Sequence, residues 1–239
     1  MGETPAAAPA PDARRIVPTL AALFLMAAAA GSGARGQETG SRVDLPEPDR
    51  TGPVPVEEAL EDRRSVRSYS DEPLELADVG QLLWAAQGIT DRSGGLRAAP
   101  SAGALYPLEL YLMSGTVDGL PEGIYHYSPE RHTLERVEAG DRRSRLARAA
   151  LGQRWVGDAG AVLVFTAVYA RTARKYGSRA RRYVHMEVGA AVENVYLQAT
   201  ARELATVVVG AFRDGEVREV LGLPEDHAPL ALMPVGRPR

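Results

Sequence analysis

Residues 160–170 read GAVLVFTAVYA, a nearly continuous apolar run in an otherwise mixed sequence. A run without polar alternation is typical of a central strand that is buried on both faces. Residues 183–204 have the long apolar pattern of a helix, and residues 123–137 alternate around a Ser-Pro turn, which indicates a hairpin. Because helices and strands interleave and the hairpin signal excludes an all-parallel sheet, we expect an α+β sandwich.

The remaining elements are predicted from hydrophobic spacing and from residues that stop helices. Residues 76–87 carry apolar side chains at helical spacing and are followed by Gly88, a residue that commonly ends a helix. The other predicted helices are residues 56–63, 142–151 and 214–224, and the other predicted strands are residues 108–114, 206–212 and 228–236.

Composition limits the classes of protein that this chain can belong to. The 239 residues are 45% hydrophobic, which is enough for one sizeable domain. The formal net charge of −3 provides no basic excess for nucleic-acid binding, so we expect no nucleic-acid partner. The chain has no cysteine, which excludes disulfides and thiolate catalysis, and its four histidines lack ligand-like spacing, so we expect no metal site.

The first 36 residues are predicted to be a signal peptide or export segment. Arg14 and Arg15 precede the apolar run of residues 16–30, which is too short to span a bilayer comfortably and has the length of a signal-peptide core. This predicts an exported, periplasmic or extracytoplasmic protein. The alternatives are an uncleaved membrane anchor and a disordered Ala/Pro tail, which would leave the protein cytoplasmic. Residues 37–55 are predicted to be a linker, and residues 56–239 the folded domain.

The RRSVR segment, residues 63–67, has side chains that suit an anionic ligand. Arg63, Arg64, Ser65 and Arg67 place three guanidinium groups and a hydroxyl just beyond a short helix. Such groups bind oxygen-rich anions such as phosphate. The alternative, an ordinary exposed cluster of arginines, stays open on these residues alone.

Three further segments offer backbone amides or charge to a ligand. The loop APSAGALYP, residues 99–107, consists largely of small residues, so its backbone can approach a flat ligand closely. Gly210 and Ala211 directly follow an apolar run, where their amides can face the edge of a ligand, and Arg237 follows the last strand. Each segment also fits a plain loop or strand end.

Six stretches, taken together and in this order, resemble the nitroreductase-like FMN family, and within it the SagB/ThcOx-type dehydrogenase branch. The resemblance covers residues 56–238. It implies an α+β sandwich with a central, mostly antiparallel sheet flanked by helices, FMN as cofactor, and an intertwined homodimer. The six stretches are RRSVRSYSDEPL (63–74), APSAGALYPLELYL (99–112), QRWVGDAGAVLVFTA (153–167), RKYGSRARRYVHMEVGAAVENVYLQA (174–199), LATVVVGAF (204–212) and PLALMPVGRP (229–238).

The resemblance also implies a role for the candidate positions at the two ends of the domain. Arg63, Ser65 and Arg67 match the family motif that binds the phosphate and the ribityl and pyrimidine side of the flavin, and Arg64 belongs to the same cluster. Arg237 matches a late basic residue that approaches the phosphate.

The positions between them are expected to contact the isoalloxazine. Pro100, Ser101, Ala102 and Gly103 match a loop near the ring, which the partner subunit of the dimer often contributes. Gly210 and Ala211 match the strand end whose amide lies near flavin N5. Many simple nitroreductases have a Glu-Gly pair at this strand end, so Gly210 is a departure that weakens the case for plain nitro reduction.

Lys175 is the single lysine among the 28 lysine and arginine residues of the chain. A lysine can lose its proton, whereas a guanidinium cannot, so this position is a candidate base. Lys175 and Tyr176 match the Lys-Tyr pair that the resemblance associates with catalysis in azoline dehydrogenases. The alternative is a solvated lysine on an arginine-rich helix face.

The leading hypothesis is an FMN-dependent oxidoreductase that takes a hydride from a small or peptide-derived heterocyclic substrate. One alternative is an NAD(P)H-dependent nitro or quinone reductase, and another is a non-catalytic flavin-binding protein. The helix over residues 183–204 resembles the dimer-forming helix of the family, and its Glu187, Gly189 and Asn194 are expected to be structural.

Overall fold

The computed structural model describes residues 41–239, so the predicted signal peptide lies outside the described residues. The main sheet has seven strands, and every pair of neighbouring strands is antiparallel. Their order across the sheet is β1-β6-β5-β4-β7-β9-β8, and β2 and β3 form a separate hairpin. The strands are β1 (Arg42–Asp44), β2 (Ile89–Asp91), β3 (Leu96–Arg97), β4 (Leu108–Ser114), β5 (Gly123–Ser128), β6 (Thr133–Ala139), β7 (Ala161–Ala167), β8 (Ala205–Thr206) and β9 (Ala228–Gly236).

Seven α-helices accompany these strands in the described part of the chain. The longest, α6, has 22 residues and packs on α2 on one side of the sheet. The helices are α1 (Val56–Asp62), α2 (Leu76–Gln87), α3 (Arg143–Ala149), α4 (Arg154–Gly157), α5 (Tyr169–Tyr176), α6 (Ala180–Ala201) and α7 (Asp214–Leu221). Within residues 41–239, no helix is long and apolar enough to cross a membrane.

The sheet is buried on both faces, as the apolar run of β7 predicts. Along β7, Leu163 and Phe165 pack with α2 and α6, whereas Val162 and Val164 pack with α3, α4 and α7. All seven residues of β7 are buried. The predicted α+β sandwich with a mostly antiparallel central sheet is therefore confirmed.

Two segments of the sheet differ from the sequence-based prediction. Arg42–Asp44 pairs with β6 and Leu45 is buried, so this part of the stretch predicted as a linker is folded onto the domain. The strand predicted at 206–212 is regular only at its start. Beyond it the amide of Val208 donates to the hydroxyl of Tyr196, at 2.7 Å, and Val209 alone bridges back to β9. Leaving the sheet exposes Gly210 and Ala211.

Candidate functional site

The RRSVR segment and the residues that follow it are fixed by backbone hydrogen bonds to β8 and to the residue after β9. The amide of Val66 donates to the carbonyl of Thr206 on β8, and the amide of Ser70 donates to the carbonyl of Arg237, both at 2.9 Å. These bonds place the arginines after α1 close to the segment that leaves β8.

Tyr196 on α6 connects this segment to the strand end. Its hydroxyl shares a 3.1 Å hydrogen bond with Ser65 Oγ and accepts the 2.7 Å bond from the Val208 amide. The guanidinium of Arg63 lies over the Tyr196 ring, 5.1 Å from its centroid. One buried tyrosine therefore orders the predicted anion-binding segment and the chain that leads to Gly210.

Arg67 and Arg64 make different contacts. Arg67 lies 5.7 Å from the centroid of the Trp155 ring and is otherwise exposed. Arg64 instead donates to the carbonyl groups of Glu61 and Arg63 at the end of α1. We call the whole cluster the arginine group, and its members are Arg63, Arg64, Ser65, Arg67, Gly210 and Ala211.

Gly210 and Ala211 present free backbone amides to solvent. A Cβ atom built on Gly210 would have nothing within 4 Å. Among residues 41–239, none accepts a hydrogen bond from the amide of Gly210 or Ala211. Gln153 donates to the carbonyl of Ala211 at 2.8 Å, which fixes this turn beside the helix that carries Trp155.

The second cluster combines the 100–103 loop with the lone lysine. Gly103 has a φ of +65°, and a Cβ atom built on it would lie 2.8 Å from Tyr176 OH and 3.0 Å from Lys175 Nζ. Two segments more than 70 positions apart in sequence therefore meet at a glycine. We call this cluster the loop group, and its members are Pro100, Ser101, Ala102, Gly103, Lys175 and Tyr176.

Arg171 ties α5 to the far end of the same loop. Its guanidinium donates to the carbonyl of Tyr106 at 3.0 Å and pairs with Glu109 at the start of β4. Burial raises the pKa of Glu109, but the hydrogen bond from His126 and the charge of Arg171 outweigh it and lower that pKa to about 2. Glu109 therefore remains a carboxylate at neutral pH and its ion pair with Arg171 fixes α5 to the start of β4, next to the end of the loop.

Glu187 on α6 is hydrogen-bonded to the loop group. Ser101 Oγ donates to Glu187 Oε2 at 2.6 Å and accepts the amide of Tyr106 at 2.9 Å. Burial raises the pKa of Glu187 to about 7, although the Ser101 hydrogen bond and the charge of Arg97 act in the opposite direction.

The arginine group and the loop group contact opposite faces of α6. Their contacts, Tyr196 and Glu187, are nine positions apart, which corresponds to about 14 Å along a helix and to half a turn in direction. Within one chain the two groups are therefore separate clusters, and the sequence motifs do not form a single pocket.

Arg237 belongs to neither group. Its guanidinium lies 2.9 Å from Asp78 and 3.6 Å from Glu75, and Asp78 also pairs with Arg202 at 2.9 Å. The structure thus places the late basic residue in an ion-pair network at the start of α2.

Two residues of the site were not identified from the sequence. Glu187 is expected from the sequence to be structural. A carboxylate on the apolar side of a helix nevertheless indicates a buried group with a polar partner. Tyr196 stands in an apolar helical pattern, where a tyrosine is an ordinary core residue, so its bridging role had no sequence signal.

The fold and its two clusters define an α+β sandwich with candidate ligand-binding residues on two faces of α6. The chain belongs to the Nitroreductase family, which its residues 60–237 match. The family predicted from the six stretches is thereby confirmed, and the protein is an oxidoreductase of that family.

Three proteins show what this chain is similar to within that family. A protein of Methanocaldococcus jannaschii named "Putative nitroreductase" is 50% identical over 184 residues, which cover 77% of this chain and 91% of that protein. The microcin B17-processing protein McbC of Escherichia coli is 29% identical over 158 residues, which cover 64% of this chain and 58% of McbC. A crystal structure from Ralstonia eutropha, also named a "putative nitroreductase", superposes with a TM-score of 0.71 at 33% identity and covers 83% of this chain and 90% of that one.

Proposed function

We propose that this protein is an FMN-dependent oxidoreductase of the SagB type, which takes a hydride from a small or peptide-derived heterocyclic substrate. The observation that carries this proposal is the contact of Lys175 and Tyr176 with Gly103. It brings the single lysine of the chain, whose amine can release a proton, against the loop that the resemblance assigns to the isoalloxazine.

The residues of the arginine group fit the chemistry of FMN. Arg63, Ser65 and Arg67 supply guanidinium and hydroxyl donors, which suit a phosphate monoester and a polyol. The open backbone at Gly210 offers two amides without protein acceptors among residues 41–239, which suits the polar edge of a flat ring. The guanidinium groups of Arg63 and Arg67 lie over aromatic rings, which favours these orientations before a ligand binds.

A homodimer would unite the two groups. Because they attach to opposite faces of α6, a site that uses both requires the arginine group of one chain and the loop group of its partner. On α6 the exposed Met186 lies next to Glu187, and the open surface at Gly189 lies between Glu187 and Tyr196, so a second chain can approach the helix closely there. These features support an intertwined homodimer.

When bound, FMN would supply hydride acceptance. In a dehydrogenation, a residue of the chain must accept the proton that the substrate loses as its hydride departs. Lys175 is a suitable base because an amine can accept that proton, and Tyr176 is placed beside it to orient the substrate. Removing one hydride and one proton from a thiazoline or oxazoline ring leaves the aromatic azole.

The name of McbC favours a peptide-derived substrate, since that relative processes microcin B17. The name of the Methanocaldococcus jannaschii relative favours the second candidate, an NAD(P)H-dependent nitro or quinone reductase. The two differ in the direction of electron flow, so anaerobic reduction of the bound flavin by NADPH or by a synthetic thiazoline peptide distinguishes them. Rapid reduction by the peptide alone supports the dehydrogenase.

Mixed dimers test the shared site directly. A chain with Arg63→Ala and Arg67→Ala lacks two guanidinium groups of the arginine group, and a chain with Lys175→Ala lacks the candidate base. Co-expression of the two should restore about a quarter of the wild-type activity, because half of the dimers are mixed and each has one intact site. If each site lies within one chain, the mixture should be as inactive as the separate variants.

A further inference from the structure

Glu187 is a buried carboxyl group with one hydrogen bond and one unused oxygen. Its side chain is only 3% exposed on α6, and its Oε2 accepts the short bond from Ser101. Among residues 41–239, nothing donates to its buried Oε1. Burying a carboxyl oxygen without a hydrogen-bond donor costs free energy, so packing alone does not explain this position.

The loop above Glu187 has an unfavourable backbone. Besides Gly103, both Ala104, with φ +53°, and Tyr106, with φ +43°, lie in the left-handed region. Residues with a Cβ atom adopt this region only when surrounding contacts hold them there. Two hydrogen bonds provide such contacts: the Tyr106 amide donates to Ser101 Oγ, and the Ser101 hydroxyl donates to Glu187.

We propose that Glu187 is a positioning residue: through Ser101 it holds the 100–106 loop in the shape that brings Gly103 against Lys175 and Tyr176. The consequence for the flavin rests on the proposed function, whereas the hold on the loop itself does not. Glu187 thus acts on the candidate base without touching it.

The charges around Glu187 make this hold dependent on pH. Burial is the largest influence and raises its pKa, whereas the Ser101 hydrogen bond and the charge of Arg97 on β3 lower it. Arg97 also donates to Glu130 and Gln87. From α5, Lys175 and Tyr176 approach the loop at Gly103. Because ionisation favours any state that hydrates the carboxylate, opening of the loop should become easier as the pH rises through neutrality.

Hydrogen exchange of the Tyr106 amide in the full chain without flavin tests the proposal. Ser101→Ala and Glu187→Ala should each exchange this amide at least about tenfold faster than wild type, because each breaks the chain of bonds that protects it. Glu193→Ala, an exposed position on the same helix, is the matched control and should leave the amide unchanged. If Glu187→Ala does not fold, the pH profile of Glu187→Gln tests the carboxyl group instead.

Glu187→Gln separates positioning from packing. Glutamine keeps an acceptor for Ser101 but does not titrate, so its exchange rate, corrected for intrinsic chemistry, should be flat from pH 5.5 to 8.5, a window of about three units around neutrality. Over the same window the wild-type amide should lose protection as the pH rises. Unchanged protection in Ser101→Ala, or the same pH profile in Glu187→Gln as in wild type, would overturn the proposal. A protein without flavin would refute the proposed function and leave this result intact.

Discussion

Gly103 and Lys175 are in contact across two distant segments: Lys175 Nζ lies 3.0 Å from the point that a Cβ atom on Gly103 would occupy. Two features require a glycine at this point. Its φ is +65°, and Lys175 and Tyr176 fill the space that a Cβ atom would need. The contact therefore links the backbone of the loop to the position of the candidate base.

Gly103→Ala tests this contact. The added methyl group should cost about 1–2 kcal/mol of stability through backbone strain. It should also displace Lys175 and Tyr176 and so lower turnover while flavin content is retained. Gly95→Ala is a matched control, because Gly95 has a φ of +64° but nothing within 4 Å of its Cβ position. Thermal unfolding should show a similar loss for both variants, and equal turnover in the two would contradict a role for the contact.

Lys175 should be required for its ability to exchange a proton rather than for its charge. Lys175→Ala and Lys175→Arg should both lower the rate of thiazoline-peptide oxidation by about 100-fold or more, because guanidinium cannot act as a base. The loss of two hydrogens per ring, followed by mass spectrometry, measures the reaction. Arg174→Ala should stay close to wild type. An active Lys175→Arg protein would show that charge alone suffices.

Glu187→Gln should change the pH dependence of stability in a definite direction. The folded protein retains a proton on Glu187 up to a pKa of about 7, whereas the unfolded chain releases it at the ordinary value of 4.5. Wild-type stability therefore falls as the pH rises between these values, and the variant should gain on the order of 2 kcal/mol relative to wild type across that window. Thermal unfolding at pH 4.5 and pH 8 checks the gain, which should be absent at the lower pH.

Arg237→Ala distinguishes an ion-pair residue from a phosphate ligand. Its contacts with Asp78 and Glu75 predict a loss of about 1–3 kcal/mol in the free energy of unfolding, because Asp78 is buried. FMN affinity, measured by fluorescence titration, should stay within about twofold of wild type. A large loss of affinity with unchanged stability would instead support the role that the resemblance implies.

Elements with local signals were predictable from the sequence. α2 spans the predicted Leu76–Gln87 because Gly88 marks its end, and β9 covers the predicted residues 228–236. By contrast, the predicted strand 160–170 ends at Ala167, and α5 begins at Tyr169. A short apolar run does not show by itself where a strand gives way to a helix.

The residues of the candidate site were predictable as segments but not as an arrangement. The sequence singled out Ser101 and Lys175 separately, and only the fold shows that their segments meet at Gly103. Likewise, the separation of the two groups depends on the directions in which Glu187 and Tyr196 leave α6. Such relations arise from tertiary packing and have no local signature.

The most direct test of the account is the visible absorption spectrum of the purified full chain, with the released chromophore identified after denaturation. An FMN-dependent homodimer is expected to be yellow and to carry about one FMN per chain, at two equivalent sites in each dimer. A colourless protein that also fails to take up added FMN would contradict it.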